Sequence, residues 1–260
     1  MNINFALRFL NYYFSSQTKH DIHSPFVYML VTKVIYPDKI QPEFRNIESR
    51  RKLLSRSKLK INSEDFGAGH QGKISSEHSL GFIVRNAAKR ARYCRLLYRI
   101  TQHFKPACMI ELGTSAGFSA MYLATGNLQG ELTTIEGNRS LNEVAIENFK
   151  TLGLKNINAI VGSFEEELPL LLKERKQVDF IYIDGNHKKE PTLSFFEECL
   201  GKSHKNTIFV FDDINWSEEM QEAWKMIKDH HKVTVTIDLF MMGLVFINPD
   251  LSKENFIVRY

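Results

Sequence analysis

The chain has little cysteine and no repeated or low-complexity segment. Its 260 residues contain three cysteines, Cys94, Cys108 and Cys199, and no pair of them has the spacing of metal ligands. Scattered cysteines are typical of free thiols in a reducing cytosol, so we expect a cytoplasmic protein. The absence of repeats argues against a solenoid or other repeat architecture.

Long apolar runs are also missing. No stretch approaches the roughly 20 consecutive apolar residues that a membrane-spanning helix needs. Residues 2–14 are apolar and aromatic, but they lack a basic leading segment and a small-residue cleavage site, so we expect no signal peptide. We predict an amphipathic helix there that packs on the rest of the protein or on a partner.

Positive charge is only slightly in excess of negative charge. The chain has 34 Lys and Arg against 30 Asp and Glu, a formal net charge of +4, and 43% of its residues are hydrophobic. These values are ordinary for a globular protein with one large domain, or a core domain and an appendage. Basic residues gather in the helical segments 45–60 and 85–99, where either a solvated helix surface or a nucleic-acid contact explains them.

The hydrophobic pattern changes near residue 106. Residues 1–105 show mainly helical periodicity, with a helix opened by Pro25 and stopped by Pro37 and a longer helix over residues 76–104. Short β-rich runs then alternate with helices, which predicts a mostly parallel sheet covered on both faces. We therefore predict a helical extension over residues 1–105 that covers an acceptor site, and an α/β domain over residues 106–260.

Seven strands are predicted in the second part. They are Cys108–Leu112, Leu132–Glu136, Ile157–Val161, Phe180–Ile183, Ile208–Phe211, Val233–Ile237 and Gly243–Ile247. Helices should begin near Gly117, Arg139, Phe164, Glu190 and Ser217. Only Asp238–Met242 separates the last two strands, so we expect an antiparallel hairpin at one edge of the sheet.

The first strand runs into the most informative motif, Glu111-Leu-Gly-Thr-Ser-Ala-Gly-Phe-Ser119. Spaced glycines let a backbone approach a ligand closely, and the unpaired N–H groups that open the next helix favour an anionic or acceptor group. Glu111 would repel a pyrophosphate but suit an ammonium or a ribose hydroxyl. This pattern predicts a pocket for an adenosine-bearing cofactor.

A similar motif, Asp65-Phe-Gly-Ala-Gly69, lacks the strand and the helix that a cofactor cradle needs on its two sides. We interpret it as a loop, either a lid over the site or a structural turn.

Polar residues follow the other predicted strands as well. Ligands of open α/β sheets bind beyond the carboxyl ends of the strands, so we expect these groups to serve one site, although each acid alone could be a helix cap or a turn residue. The groups are Glu136-Gly137-Asn138, Gly162-Ser163-Phe164, Asp184-Gly-Asn-His187 and Asp212-Asp213. Glu136, 25 residues after Glu111, could accept both hydroxyls of a ribose, and Gly162-Ser163-Phe164 could border an adenine.

Residues 107–247 resemble a class I S-adenosylmethionine-dependent methyltransferase, with its Rossmann-like, seven-stranded, mostly parallel sheet and terminal antiparallel hairpin. The motif from Glu111 to Ser119 is similar to the first motif of the catechol and caffeoyl-CoA type O-methyltransferases. Residues 184–187 also look like sugar and macrolide O-methyltransferases, which leaves the acceptor open.

This resemblance implies S-adenosylmethionine as the cofactor. Ser119 would lie near the carboxylate of its methionine part, Glu136 would hold the ribose, and Phe164 would border the adenine. The implied cofactor residues are Glu111, Gly113, Thr114, Ser115, Gly117, Ser119, Glu136, Gly137, Gly162, Ser163, Phe164 and Asp184.

The resemblance also implies a divalent cation, Mg²⁺ or another, held by Asp184, Asp212 and Asp213. Three hard oxygen ligands suit such an ion. The chain departs from the family at Asp213, where an Asn is usual, and at His187, which replaces a Lys. His187 could act as general base beside Asp184 as the second catalytic residue, because an imidazole accepts a proton near neutral pH.

The segment His20-Asp-Ile-His-Ser-Pro-Phe26 resembles the start of uncharacterised bacterial methyltransferases of the Bacteroidetes group, and this similarity implies no function. His20 and His23 are candidate acceptor contacts or parts of a helix cap.

We predict O-methylation of a small-molecule acceptor. Two other classes stay open: an RNA-binding protein or RNA methyltransferase that uses the basic helices, and a nicotinamide-dependent oxidoreductase. The oligomeric state is also open, with a homodimer as one option.

Overall fold

The computed structural model describes residues 3–61 and 78–260. Within these residues the helices are α1 Ile3–Ser15, α2 Pro25–Leu30, α3 Phe44–Leu54, α4 Leu80–Asn86, α5 Ala91–Phe104, α6 Phe118–Gly126, α7 Arg139–Thr151, α8 Phe164–Glu174, α9 Lys189–Leu200 and α10 Glu218–Asp229. The strands there are β1 Lys60–Ile61, β2 His78–Ser79, β3 Cys108–Leu112, β4 Glu131–Glu136, β5 Ile157–Val161, β6 Phe180–Ile183, β7 Ile208–Asp212, β8 Val235–Asp238, β9 Met242–Phe246 and β10 Glu254–Ile257.

The chain forms two compact units. One consists of Met1–Pro37 with Arg175–Tyr260, and the other is the continuous segment Asp38–Glu174. The domain boundary that we predict between residues 105 and 106 stays a prediction.

Three parallel strands organise the continuous unit. β4 pairs with β3 on one side and with β5 on the other, and Glu111 of β3 lies opposite Thr134 of β4. Nearly all of β3 and β4 is buried, because apolar side chains on both faces of a parallel sheet meet covering helices. Helices α6 and α7 follow β3 and β4, as the predicted alternation requires.

Five strands organise the other unit, in the order β10-β8-β9-β7-β6. β6 and β7 are parallel, whereas β9 is antiparallel to both β7 and β8. The predicted antiparallel hairpin is therefore confirmed. It does not lie at the edge, however, because β10 pairs in parallel with the outer side of β8.

The α/β fold class is confirmed, with one correction in the strand count. The two units together hold eight strands of this kind in place of the predicted seven. The additional strand, β10, is exposed at two of its four positions, so it lacks the buried apolar run by which the other strands were recognised.

The N-terminal helices also differ from expectation in detail. The predicted helix over residues 76–104 is interrupted, since α4 ends at Asn86 and α5 begins at Ala91. The helix that begins at Pro25 continues through a π-helical turn, Val31–Ile35, before Pro37. The motif Asp65–Gly69 lies outside the described residues.

No helix in the described part of the chain is long and apolar enough to cross a membrane.

Candidate cofactor site and acid–histidine group

The turn after β3 has the backbone conformation that its glycines predict. Gly113 and Gly117 have φ values of 104° and 83°, in the left-handed region that favours glycine. The Gly113 N–H donates to Ile135 O at 3.0 Å, which attaches the turn to β4. A Cβ atom on Gly117 would lie 2.6 Å from Phe149 Cε1, so α7 packs too closely for any larger residue.

The N-terminus of helix α6 directly follows this glycine turn. Among the described residues no side chain caps it, whereas Asn138 caps α7 by accepting from Leu141 N at 3.0 Å. The first N–H groups of a helix attract anionic groups. The N-terminus of α6, which contains the predicted residue Ser119, therefore fits the carboxylate of a methionine moiety.

Glu136 ties the turn to the end of β4. Its Oε2 accepts from Ser115 N at 2.7 Å and its Oε1 accepts from Asn138 N at 2.9 Å. Ser115 has a φ of 48°, which costs energy for a non-glycine residue, and the charge-assisted bond to Glu136 stabilises it. The carboxylate is half-buried, and a carboxylate is an acceptor that suits a ribose hydroxyl.

Glu111 lies fully buried in a hydrogen-bonded chain of threonines. Its Oε2 accepts from Thr134 Oγ1 at 2.6 Å, and the Thr134 hydroxyl is 2.5 Å from that of Thr114. Sequence reasoning missed Thr134. The one signal was a polar pair, Thr133-Thr134, inside an otherwise apolar strand.

The third predicted group follows β5. Gly162 N donates to Glu136 O at 3.1 Å, so this turn joins the Glu136 turn. Ser163 accepts from Glu166 N at 3.3 Å, and Phe164, which begins α8, is half-buried. The structure thus brings together the groups at 113–119, 136–138 and 162–164, all within the continuous unit.

A separate set of polar residues lies in the other unit. It consists of Asp184, His187 and Asp213, and we call it the acid–histidine group. His187 Nε2 lies 3.8 Å from Asp184 Oδ1 and 4.0 Å from Asp213 Oδ2. Tyr182, which sequence reasoning missed, donates its hydroxyl to Asp184 Oδ2 at 2.8 Å. A proton taken by His187 would therefore place positive charge beside two carboxylates.

The backbone of this group is strained. Asn186, His187 and Asp213 have φ values of 65°, 32° and 52°, three of the six non-glycine residues with positive φ in the described part of the chain. Such conformations persist only where the surroundings enforce them, and they gather at functional sites.

The predicted metal ligands Asp184, Asp212 and Asp213 lie at the ends of β6 and β7. Asp212 is buried, while Asp213 is half-buried next to His187. Among residues 3–61 and 78–260, no three His, Cys, Asp or Glu side chains lie together in a way that could hold a metal ion. The donor types suit a divalent cation. The metal site stays a prediction, and we derive no reaction step through a metal.

An aromatic cluster borders the loop after β7. Phe5 and Phe9 of α1 contact Phe240 with ring centroids 5.2 Å and 5.1 Å apart, and Phe5 lies 6.0 Å from Trp216. Trp216 N donates to Asp213 O at 2.9 Å, so the exposed indole directly follows the acid–histidine group. His20 and His23, the other predicted contacts of the N-terminal segment, are exposed.

Comparison with known proteins agrees with this geometry. Residues 110–214 match a methyltransferase-domain family. The chain is 28% identical over 111 residues to the O-methyltransferase imqG of Aspergillus flavus, covering 40% of this chain and 44% of that protein. It is also 28% identical over 108 residues to the catechol O-methyltransferase of Mycobacterium tuberculosis, covering 41% and 47%. The chain therefore spans about half the length of these relatives.

Solved structures share the fold. The O-methyltransferase TomG of Streptomyces achromogenes, in complex with SAM, superposes with a TM-score of 0.55 at 19% identity, covering 64% of this chain and 84% of that one. The SAH-bound methyltransferase PaMTH1 of Podospora anserina gives 0.60 at 12% identity, covering 87% and 97%.

The resemblance to class I S-adenosylmethionine-dependent methyltransferases is thus confirmed. Residues 110–214 match a methyltransferase domain, and the curated relatives that the chain matches are O-methyltransferases.

Proposed function

We propose that the protein transfers a methyl group from S-adenosylmethionine to an oxygen of a small-molecule acceptor. The observation that carries this proposal is the Glu136 carboxylate, which braces the glycine turn through Ser115 N at 2.7 Å beside the uncapped start of α6. A carboxylate for ribose and helix N–H groups for a carboxylate match the two polar ends of this cofactor.

In this proposal the groups of the continuous unit bind the cofactor. Gly113 and Gly117 permit close approach of the backbone, the N-terminus of α6 with Ser119 binds the methionine carboxylate, and Glu136 binds the ribose. Gly162, Ser163 and Phe164 border the adenine. Glu111, Thr114, Ser115 and Gly137 complete the proposed cofactor-binding set of this unit. Asp184, a residue of the other unit, is the remaining proposed cofactor-binding residue.

His187 is the proposed general base. When bound, S-adenosylmethionine would supply a methyl group on a positively charged sulfur for transfer to the acceptor oxygen, with the neutral thioether of S-adenosylhomocysteine as the leaving group. His187 Nε2 takes the hydroxyl proton, and Asp184 and Asp213 stabilise the imidazolium that results. Tyr182 orients Asp184 through its hydroxyl, 2.8 Å away.

The acceptor would contact the aromatic cluster of α1, Trp216 and Phe240. Supporting this, Trp216 is exposed and hydrogen-bonded to Asp213, and Arg8 of α1 donates to Trp216 O at 3.0 Å. In this proposal residues 3–37 shape the acceptor side of the site, which is part of the role predicted for the N-terminal extension. A divalent cation at Asp184, Asp212 and Asp213 stays a separate prediction.

Cofactor binding is tested by calorimetry with S-adenosylhomocysteine. Glu136→Gln should weaken binding roughly 10-fold and Glu136→Ala roughly 100-fold, because a hydrogen bond to a charged group contributes about 1.5–3 kcal/mol. Glu143→Ala, on the exposed side of α7, is the matched control and should bind like the parent protein. Unchanged binding in Glu136→Ala, or no binding by the parent protein, would refute the cofactor site.

The chemical step is tested by single-turnover methyl transfer to a panel of catechols and other hydroxylated acceptors. His187→Gln should lower the rate at least 100-fold, in the range typical of a lost general base, without changing S-adenosylhomocysteine affinity. A rate unaffected by the substitution would rule out this role. Turnover that persists with EDTA and in Asp212→Ala would remove the metal while leaving the methyltransferase proposal intact.

A further inference from the structure

Outside the cofactor site, basic residues concentrate in one part of the continuous unit. The sequence segments 49–61 and 78–105 contain thirteen Lys and Arg and no Asp or Glu, although the chain as a whole carries only +4. The proposed methyltransferase chemistry uses none of them.

The structure brings the end of α3 and the start of α4 into one surface. Gly81 N donates to Ser57 O at 3.1 Å, Leu80 N donates to Leu59 O at 2.7 Å, and the Arg85 guanidinium donates to Ser55 O. We call residues 52–60 and 79–85 the α3–α4 surface. Its exposed cations are Lys52, Arg56, Lys58, Lys60 and Arg85.

Large apolar side chains project from the same surface. Leu53 is 61% exposed, Leu59 is 56% exposed and Phe82 is 43% exposed. Exposing these three side chains to water is unfavourable in free energy, because their apolar area stays unburied. The combination points to a partner that takes up both charge and hydrocarbon.

The apolar residues decide between the two polyanions that such cations could bind. Single-stranded nucleic acid stacks on planar side chains, and the aliphatic Leu53 and Leu59 offer no plane. The planar ring of Phe82 already stacks on the His78 ring, with centroids 4.6 Å apart. The interface of an anionic bilayer attracts Lys and Arg to its headgroups and accepts Leu and Phe at the acyl boundary. Charge and shape together therefore favour a lipid surface.

We propose that the α3–α4 surface adsorbs to anionic lipid bilayers. The cations Lys52, Arg56 and Lys58 meet the headgroups, and Leu53, Leu59 and Phe82 enter the interface. This surface function is independent of the methyltransferase proposal and can fail without it.

The test is co-sedimentation of the full chain with vesicles of phosphatidylcholine alone or mixed with phosphatidylglycerol. The protein should bind only the mixed vesicles, and less as salt rises, since salt screens headgroup charge. The triple variant Lys52→Gln, Arg56→Gln, Lys58→Gln should bind roughly 100-fold more weakly, equivalent to about 1 kcal/mol for each cation. Leu53→Ser with Leu59→Ser should also weaken binding.

A matched control removes the same charge elsewhere in the same unit, through Lys150→Gln, Lys155→Gln and Lys173→Gln, all exposed. The control should bind vesicles like the parent protein, and every variant should keep its S-adenosylhomocysteine affinity, which reports an intact fold. Equal losses in both triple variants would overturn the proposal, because net charge alone would then explain binding. Absence of vesicle binding would overturn it too, as would binding of a single-stranded RNA oligonucleotide that is unaffected by the Leu substitutions.

Discussion

At the scale of single residues, several carboxylates in this chain accept from backbone N–H groups rather than from cations. Glu136 accepts from Ser115 and Asn138, Asp238 accepts from Phe240 at 2.8 Å, and Asp21 accepts from Thr18 at 2.8 Å. Each of these acids fixes a turn. Alanine variants at such positions lose both a charge and a turn, which is why amide variants separate the two effects more cleanly.

Asp238 provides a prediction on pH. Burial raises the pKa of its carboxyl above the usual 3.8, against the opposing hydrogen bond from Phe240 N. A raised pKa in the folded state means that the stabilising contribution is complete below the unfolded-state pKa and is lost as pH rises through the folded-state value. At neutral pH the buried, ionised carboxylate of Asp238 therefore lowers the free energy of unfolding.

Asp238→Asn should remove that penalty, because the amide is neutral and its oxygen still accepts from Phe240. We expect the variant to melt at a higher temperature than the parent protein at pH 7, with the difference closing as pH approaches 3.8. Parallel thermal melts from pH 3 to pH 8 measure this. A constant difference across that range would contradict the assignment to Asp238.

Sequence spacing predicts some residues of the site and misses others for a physical reason. Glu136 and the glycines of the first motif follow strands directly, so chain order alone gives their positions. Thr134 becomes relevant because the β3–β4 register sets it opposite Glu111. Asn148 likewise depends on Arg50 and Ala116, which only the folded chain brings near it. Tyr182, by contrast, is only two residues from its partner Asp184.

At the scale of elements, α3 is joined to the cofactor turn through α7. Arg50 Nε on α3 donates to Asn148 Oδ1 at 2.6 Å, and Asn148 Nδ2 donates to Ala116 O at 2.8 Å. Asn148 is fully buried, so each bond satisfies a group that would otherwise lose its hydration. Ala116 lies between Ser115 and Gly117, which both have positive φ values. Its position thus depends on α3, a helix far away in the sequence.

Arg50→Met should loosen this link. The buried Asn148 oxygen would lose its donor, which should lower the free energy of unfolding by about 1–3 kcal/mol and weaken S-adenosylhomocysteine binding. Urea unfolding and calorimetry measure the two effects. Arg45→Met, on the exposed side of α3, is the control, and equal behaviour of the two variants would show that the link contributes nothing.

Some element boundaries follow directly from the sequence. β3 and β6 match their predicted bounds because each is a short apolar run that the fold buries. β1 and β2, two residues each, carry no such run, and they exist because backbone groups of Lys60 and Ile61 pair with Ser79 and His78. The gap between α4 and α5 escaped prediction because Ala87–Arg90 keeps the composition of a helix.

At the scale of the whole molecule, periodicity reports what a segment forms but not what it packs against. The predicted helices within residues 3–37 form, yet they group with residues 175–260 rather than with the helices of 44–104. Tyr12 donates to Val258 O at 2.6 Å, and Gln17 N donates to Ile257 O at 2.7 Å. Such contacts are non-local, so no window of sequence reveals them.

Those contacts have a consequence for the order in which the chain is made. The segment 38–174 is continuous, so all of the contacts within this unit become available once residue 174 has been added. α1 is synthesised earlier. The Val258 carbonyl, which accepts from the Tyr12 hydroxyl of α1, is added 246 positions later. Until residue 258 has been added, the apolar face of α1 therefore stays without part of its native cover.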